Sequence, residues 1–196
     1  IENDELNSGN DWIVADFSDS DQALDNGYII PDNVENIQLE ETSANITING
    51  NESNNIITGN EGNNVLLGND GDDYLNGVNG TNHLAGGLHD DTYEIASANN
   101  TIIETDELYS GDDWIIVNFS ASEQNPSEYR IVENVENLQL KETSENINII
   151  GNQGNNIIIG NSDANTIIGG EGKDILEGKD GSNHLEGGLH DDTYIV

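Results

Sequence analysis

Residues 50–94 read GNESNNIIT, GNEGNNVLL, GNDGDDYLN, GVNGTNHLA and GGLHDDTYE, which are five nonapeptides in register. Each begins with glycine and carries a branched apolar or aromatic residue at its eighth place. A fixed period of this kind is typical of a solenoid. The eighth-place residues therefore predict the core, and the nine-residue spacing extends backwards through Ile48 to Leu39. Within residues 50–94 the predicted core residues are Ile57, Leu66, Leu75, Leu84 and Tyr93.

A second series keeps the same step later in the chain, and each member lies 101 residues after its counterpart. The chain is therefore predicted to consist of two tandem copies of one unit, residues 1–95 and residues 96–196. Each unit has a strand-rich first part followed by five nonapeptides. The second series is Leu140, Ile149, Ile158, Ile167, Leu176, Leu185 and Tyr194.

The nonapeptides resemble the GGxGxDxUx repeat of the repeats-in-toxin (RTX) family, the haemolysin-type calcium-binding repeats, in which U is a large apolar residue. The clearest matches are GGEGKDILE at 169–177 and GNDGDDYLN at 68–76. The resemblance implies an all-β, right-handed parallel β-roll or β-solenoid in the repeat region of a large secreted bacterial protein. It also implies that two nonapeptides complete one turn and that calcium lies between stacked loops, held by backbone carbonyls and sixth-place aspartates.

Alternate loops then stack on the same edge of the roll, where a loop is the first six residues of a nonapeptide. We define the odd edge by the sixth places of the first, third and fifth nonapeptides of each unit, and the even edge by those of the second and fourth. The odd edge carries Asn55, Asp73, Asp91, Asn156, Asp174 and Asp192, and the even edge carries Asn64, Asn82, Asn165 and Asn183.

The third and fifth nonapeptides keep the aspartate, which predicts one full calcium site per unit, at Asp73 with Asp91 and at Asp174 with Asp192. The alternative for these pairs is a solvated acidic turn. A weaker site in each unit would join the sixth-place asparagine of the first nonapeptide to the aspartate of the third. The even edge offers amide oxygens without charge, either as ligands or as an asparagine hydrogen-bond ladder without metal, and we favour the ladder.

Several other polar residues of the loops are expected to have no ligand role. The fifth-place aspartates should face solvent, and nothing in the spacing of the four histidines requires them to converge on a transition metal. His89 and His190 replace the fourth-place glycine of the last loop and are interpreted as structural. The remaining residues of this set are Asp70, Asp72, Asp90, Asp180, Asp191, His83 and His184.

The charge of the chain is extreme, because 39 acidic residues face 4 basic ones, for a net charge of −35. Self-repulsion of this size should make compaction marginal without counter-ions. An acidic disordered linker has similar charge, but the phased apolar residues argue against it. The sequence offers no basic patch for nucleic acid or anionic membranes, no apolar run of membrane-spanning length, and no cysteine. We also find no catalytic constellation and predict no enzymatic activity.

Apolar residues also occupy outward strand places early in each unit, and such a surface requires a cover. The alternating strands DWIVADF (11–17) and DWIIVNF (113–119) are the nearest candidates, and a neighbouring unit or a second chain is the alternative. Ile13, Ala15 and Phe17 should face one side, with Trp12 and Val14 on the other.

These features predict a calcium-binding structural module of a secreted or surface-exposed bacterial protein. It would fold and stiffen on calcium outside the cell and act as an extender, an adhesin or an assembling element of a filament or surface layer. The alternative is the calcium-binding accessory region of an exoenzyme or toxin that leaves the cell by type I secretion.

Overall fold

The structure is a computed structural model that describes residues 9–17, 27–41, 44–105, 111–121, 127–145 and 147–196. In this part of the chain the backbone forms short strands, and no helix is long and apolar enough to cross a membrane. In chain order the strands are β1 (Trp12–Ala15), β2 (Tyr28–Ile29), β3 (Asn36–Leu39), β4 (Thr47–Asn49), β5 (Ile56–Thr58), β6 (Val65–Asp70), β7 (Tyr74–Asn76), β8 (His83–Leu88), β9 (Thr92–Ile95), β10 (Thr101–Ile103), β11 (Trp114–Val117), β12 (Glu128–Arg130), β13 (Asn137–Leu140), β14 (Asn148–Ile150), β15 (Ile157–Ile159), β16 (Thr166–Gly170), β17 (Ile175–Glu177), β18 (His184–Gly188) and β19 (Thr193–Ile195).

Successive strands alternate between two sides of the molecule. The odd-numbered strands form one ten-stranded sheet in chain order, and the even-numbered strands form a five-stranded sheet (β2 to β10) and a four-stranded sheet (β12 to β18). All pairings are parallel, and within the nonapeptides the partners lie 18 residues apart, as in Ile57 with Leu75 and Leu75 with Tyr93. Two nonapeptides therefore complete one turn. The predicted all-β parallel β-solenoid is confirmed.

The core consists mainly of one inward residue per strand, stacked turn upon turn. Most strands of the nonapeptides bury the eighth-place residue and turn the seventh and ninth outward, because successive side chains point to opposite faces. Ile57, Leu66, Leu75, Leu84 and Tyr93 are fully buried. In the second unit the eighth-place residues are buried up to Leu176, whereas Leu185 is partly buried and Tyr194 in β19 is exposed.

The register differs from the prediction at the first turn of each unit. Ile37 pairs with Ile57, and Leu138 pairs with Ile158, so the paired residues here are 20 positions apart. The nine-residue spacing predicts Leu39 as the partner of Ile57, and this prediction is wrong. Leu39 is nevertheless buried, because it lies two places after Ile37 and so faces the same side of β3. Its equivalent, Leu140, is buried in the same way.

The strands β1 and β11 were expected to cover outward apolar residues, but the structure places them within the ten-stranded sheet. β11 lies between β9 and β13, with Ile115 paired to Tyr93 and to Leu138. The predicted alternation is present, since Trp12 and Val14 are exposed and the intervening residues pack on the core. The outward apolar residues are half-buried between their own sheet neighbours; they are Ile56, Val65, Leu67, Ile157, Ile159 and Ile168.

Truncation of an inward residue should cost much more than truncation of its outward neighbour. Ile57→Ala removes fully buried methyl groups from a stacked core and is expected to lower the free energy of unfolding by about 2–5 kcal/mol. Ile56→Ala is the matched control, because it makes the same chemical change on the half-buried outer face and should cost clearly less. Urea unfolding in saturating calcium measures both. Equal losses would contradict the assignment of the core.

Candidate metal centres

Sixth-place residues are positioned by the strands that follow them directly. Asp73 precedes β7 and Asp91 precedes β9, and the parallel pairing of these strands stacks the two loops. The fourth place has a positive φ in several loops, as at Gly71 (φ 111°), where a Cβ would lie 2.8 Å from the carbonyl carbon of Ser53. His89 and His190 take this place with φ 81°, a conformation that is uncommon for a residue with a side chain.

The odd edge is held by a ladder of hydrogen bonds from backbone to side chain. The N–H of Asn55 donates to Oδ1 of Asp73 (2.6 Å), and the N–H of Asp73 donates to Oδ1 of Asp91 (2.8 Å). The second unit repeats the pattern from Asn156 to Asp174 (2.8 Å) and from Asp174 to Asp192 (3.0 Å). One oxygen of each carboxylate thus binds the loop 18 residues earlier.

The second oxygen of these carboxylates is the unusual feature. Oδ2 is buried without a hydrogen-bond partner in Asp73, Asp91 and Asp174. A methyl group placed on Gly68 would lie between Oδ2 of Asp73 and the carbonyl oxygen of Gly86, 2.6 Å from the latter. Asp174 has the same surroundings, formed by the glycines that open its own loop and the next loop on the edge. Each unpartnered carboxylate oxygen therefore lies near a backbone carbonyl oxygen, and hard oxygen atoms of this kind are the ligands that calcium prefers.

The surroundings of these aspartates disfavour the ionised form of the carboxyl group. Burial raises the pKa of Asp73 to about 7, and the hydrogen bond from Asn55 opposes this only in part. Burial, with the neighbouring charges of Asp73 and Asp113, raises the pKa of Asp91 to about 8. Burial also raises the pKa of Asp174. An unpaired buried anion is costly, so a proton or a cation is needed here.

The even edge has the same ladder but no unsatisfied oxygen among its sixth-place asparagines. The N–H of Asn64 donates to Oδ1 of Asn82 (2.8 Å), and the N–H of Asn165 donates to Oδ1 of Asn183 (2.9 Å). The side-chain Nδ2 then points into its own loop. In Asn82 it donates to the carbonyl oxygen of Gly77 at 2.9 Å, and in Asn183 to that of Gly178 at 3.0 Å. The amide group therefore satisfies carbonyls that would otherwise be available to a cation.

Asn55 and Asn156 on the odd edge are also bonded within their own surroundings. Oδ1 of Asn55 accepts the N–H of Asn51 (2.9 Å), and its Nδ2 donates to the carbonyl oxygen of Glu35 (3.2 Å). Asn156 makes the equivalent bonds. Both asparagines lie next to the aspartates with which the sequence predicts a weaker calcium site. The side-chain oxygen of each asparagine, however, already accepts a hydrogen bond from a backbone N–H.

Two acidic residues that sequence reasoning missed continue the odd edge. The N–H of Asp91 donates to Oδ1 of Asp113 (2.7 Å), and Oδ2 of Asp113 is a further buried oxygen without a partner. Glu104 is buried and accepts hydrogen bonds from the hydroxyl of Tyr93 and the N–H of Thr105. The motif GDDW at 111–114 matches GDDY at 71–74 and could have revealed Asp113. No comparable signal marks Glu104.

The fifth-place aspartates were predicted to face solvent, and the histidines were not predicted to share a metal. The fifth-place residues Asp72, Asp90 and Asp191 are exposed. The described residues contain one group of three or more histidine, cysteine or acidic side chains close enough to share a metal, and it includes no histidine. Its members are Asp91, Glu104 and Asp113.

The comparison with protein families agrees with this geometry. The model of the RTX calcium-binding nonapeptide repeat matches four times, at residues 49–84, 67–102, 148–176 and 168–195, which together make up more than half of the chain. The chain belongs to this family. Calcium is accordingly the ion expected in this RTX chain, in agreement with the buried, unpartnered carboxylate oxygens of the odd edge. No curated protein matches the chain, and no solved structure does.

The metal-free chain is expected to lose stability as the pH rises from about 4 to about 8. Aspartates in the unfolded chain have a pKa of about 3.9. In the folded chain burial raises the pKa of Asp73 to about 7 and that of Asp91 to about 8, so both keep their protons to a higher pH. The folded state thus binds more protons over this interval, and its advantage is lost as the pH passes the folded pKa values.

Far-ultraviolet circular dichroism of the chain in chelator across this pH range is the measurement, because β-structure that is present at the low end of the range should be lost towards the high end. Asp72→Asn, an exposed control, should keep the dependence, and Asp73→Asn should weaken it. A stability that rises with pH in chelator would show that the buried carboxylates are ionised and paired in the folded chain.

Proposed function

We propose that the chain is a calcium-folded structural module in which calcium binds on the odd edge, at Asp73 with Asp91 and at Asp174 with Asp192. The observation that carries this proposal is the set of buried, unpartnered carboxylate oxygens beside backbone carbonyls. Each such oxygen is left over after its partner oxygen has accepted a ladder hydrogen bond. A divalent ion would satisfy it and would also neutralise part of the −35 charge.

The asparagines are assigned secondary roles. Asn55 and Asn156 lie beside the aspartates and would contribute the weaker ligands, through an amide oxygen that is shared with a backbone donor. Asn64, Asn82, Asn165 and Asn183 would hold the even edge without metal, because their amide nitrogens already donate to loop carbonyls or neighbouring side chains.

The biological setting that fits this chemistry is the outside of a bacterial cell. A site with a dissociation constant of about 10⁻⁴ M would gain about 1.4 kcal/mol from millimolar calcium, and several sites together can decide whether the chain folds. We infer that the protein leaves the cell unfolded by type I secretion and folds where calcium is plentiful.

An extender role fits the organisation into two tandem units, residues 1–95 and 96–196. The ten-stranded sheet runs through both units, and Lys141 of the second unit forms an ion pair with the buried Glu94 of the first (2.6 Å). Ten strands spaced by about 4.8 Å give a length of about 43 Å. Contacts with further units or other copies of the chain would use outward apolar residues, such as Ile29 and Ile103.

A calcium titration followed by far-ultraviolet circular dichroism tests the proposal. At a pH of about 8, where the buried carboxylates of the metal-free chain ionise, the wild-type chain should change from disordered in chelator to β-rich in calcium. Replacing Asp73, Asp91, Asp174 and Asp192 with alanine should abolish this change, because the proposed sites then lack their charged ligands. The matched control replaces the exposed Asp72, Asp90, Asp180 and Asp191 with alanine, which removes the same four charges and should preserve the change.

A third variant should remove the dependence on calcium while keeping the fold. Replacing the four odd-edge aspartates with asparagine should give a chain that forms β-structure in chelator, because the amides can donate to loop carbonyls as they do on the even edge. A wild-type chain that is already β-rich in chelator would contradict folding by calcium. Equal responses of the two alanine variants would contradict the assignment of the ligands.

A further inference from the structure

At the junction between the two units, the sheet formed by the even-numbered strands is divided into two separate sheets. β10 ends the five-stranded sheet and β12 begins the four-stranded one, while β9, β11 and β13 continue the ten-stranded sheet. The second side of the solenoid is thus interrupted between β10 and β12. An additional bond between β10 and the ten-stranded sheet would compensate here for the missing strand pairing between β10 and β12.

Three carboxylates meet at this junction. Asp91 precedes β9, Glu104 directly follows β10, and Asp113 precedes β11. One oxygen from each lies within 4.8 Å of the others, and all three residues are buried. Oxygens that share a calcium ion, each about 2.3–2.6 Å from it, can be up to about 5 Å apart. The separation is therefore suitable for a single ion.

An independent observation indicates that a ligand belongs here. Asp91 and Asp113 are both 0% exposed, and Oδ2 of each has no hydrogen-bond partner. Their Oδ1 atoms accept the N–H groups of Asp73 and Asp91. The ladder therefore fixes both side chains with one oxygen still unsatisfied. Glu104 is held by Tyr93 and Thr105, and each of its oxygens keeps a lone pair for a cation.

We propose that Asp91, Glu104 and Asp113 form a calcium site that joins the two repeat units. This inference rests on the proposed function, since it extends calcium binding from the nonapeptides to the segment between them. Three buried carboxylates provide only oxygen ligands, a set that suits calcium and not zinc or copper. The ion would tie the end of β10, through Glu104, to two adjacent loops of the ten-stranded sheet.

The sequence repeats the spacing of this site in the other unit. Glu104 and Asp113 are nine residues apart, and so are Glu2 and Asp11 at the corresponding positions of the first unit. Glu2 lies outside the described residues. The spacing is thus a property of the unit as a whole, which is consistent with a site that forms wherever one unit follows another.

The test is the number of calcium ions bound per chain, measured by equilibrium dialysis of the full chain at saturating calcium. Glu104→Gln and Asp113→Asn should each lower the count by one ion. Glu104→Gln keeps the acceptor for Tyr93, and circular dichroism shows whether each variant is folded. Asp112→Asn is the matched control, because it removes an exposed charge next to Asp113 and should leave the count unchanged.

Thermal unfolding separates a ligand from a purely structural residue. Glu104→Gln should lower Tm in saturating calcium by several degrees and should weaken the rise of Tm with calcium concentration, since the variant binds one ion fewer. An unchanged ion count in both variants, or a loss of Tm in Glu104→Gln that is the same at every calcium concentration at which the chain is folded, would overturn the junction site. A wild-type chain that binds no calcium would instead overturn the proposed function itself.

Discussion

Stacking at intervals of 18 residues imposes a constraint on every loop of this molecule, because the backbone N–H that precedes each strand must find an acceptor. In the nonapeptides the acceptor is the sixth-place side chain one turn later, as in the bonds from Asp73 to Asp91 and from Asn64 to Asn82. A single side-chain oxygen is sufficient for this purpose. Aspartate and asparagine are therefore equivalent for the ladder, and they differ only in the second polar atom of the side chain.

That second atom gives the two edges different requirements. On the even edge it is an NH₂ group, which donates to carbonyls of its own loop, as in Asn82 and Asn183. On the odd edge it is a carboxylate oxygen, which repels those same carbonyls and remains unsatisfied in Asp73 and Asp174. The sixth-place asparagines of the even edge are thus satisfied within the polypeptide, whereas the aspartates of the odd edge need a cation. The asymmetry confines the dependence on calcium to one side of the solenoid.

The net charge of the chain also makes the folded state depend on cations. A net charge of −35 opposes compaction, and the four basic residues all lie in the second unit. One of them, Lys141, neutralises Glu94, which also accepts hydrogen bonds from Tyr74 and Asn118. A buried acidic group in this chain is thus stabilised either by a rare basic partner or by an ion. Asp91, Glu104 and Asp113 have no basic partner among the described residues.

The sequence by itself determined the solenoid, the inward eighth-place residues from Ile48 onward and the restriction of the sixth-place aspartates to one edge. These features follow from a strict nine-residue period, in which each position has one fixed direction. Tertiary structure decided the features outside that period. It set the 20-residue step at Ile37, it made β11 a member of the ten-stranded sheet, and it brought Glu104 to Asp113. The physical reason is that these contacts depend on how segments of irregular length pack against the regular turns, and no local pattern records that packing.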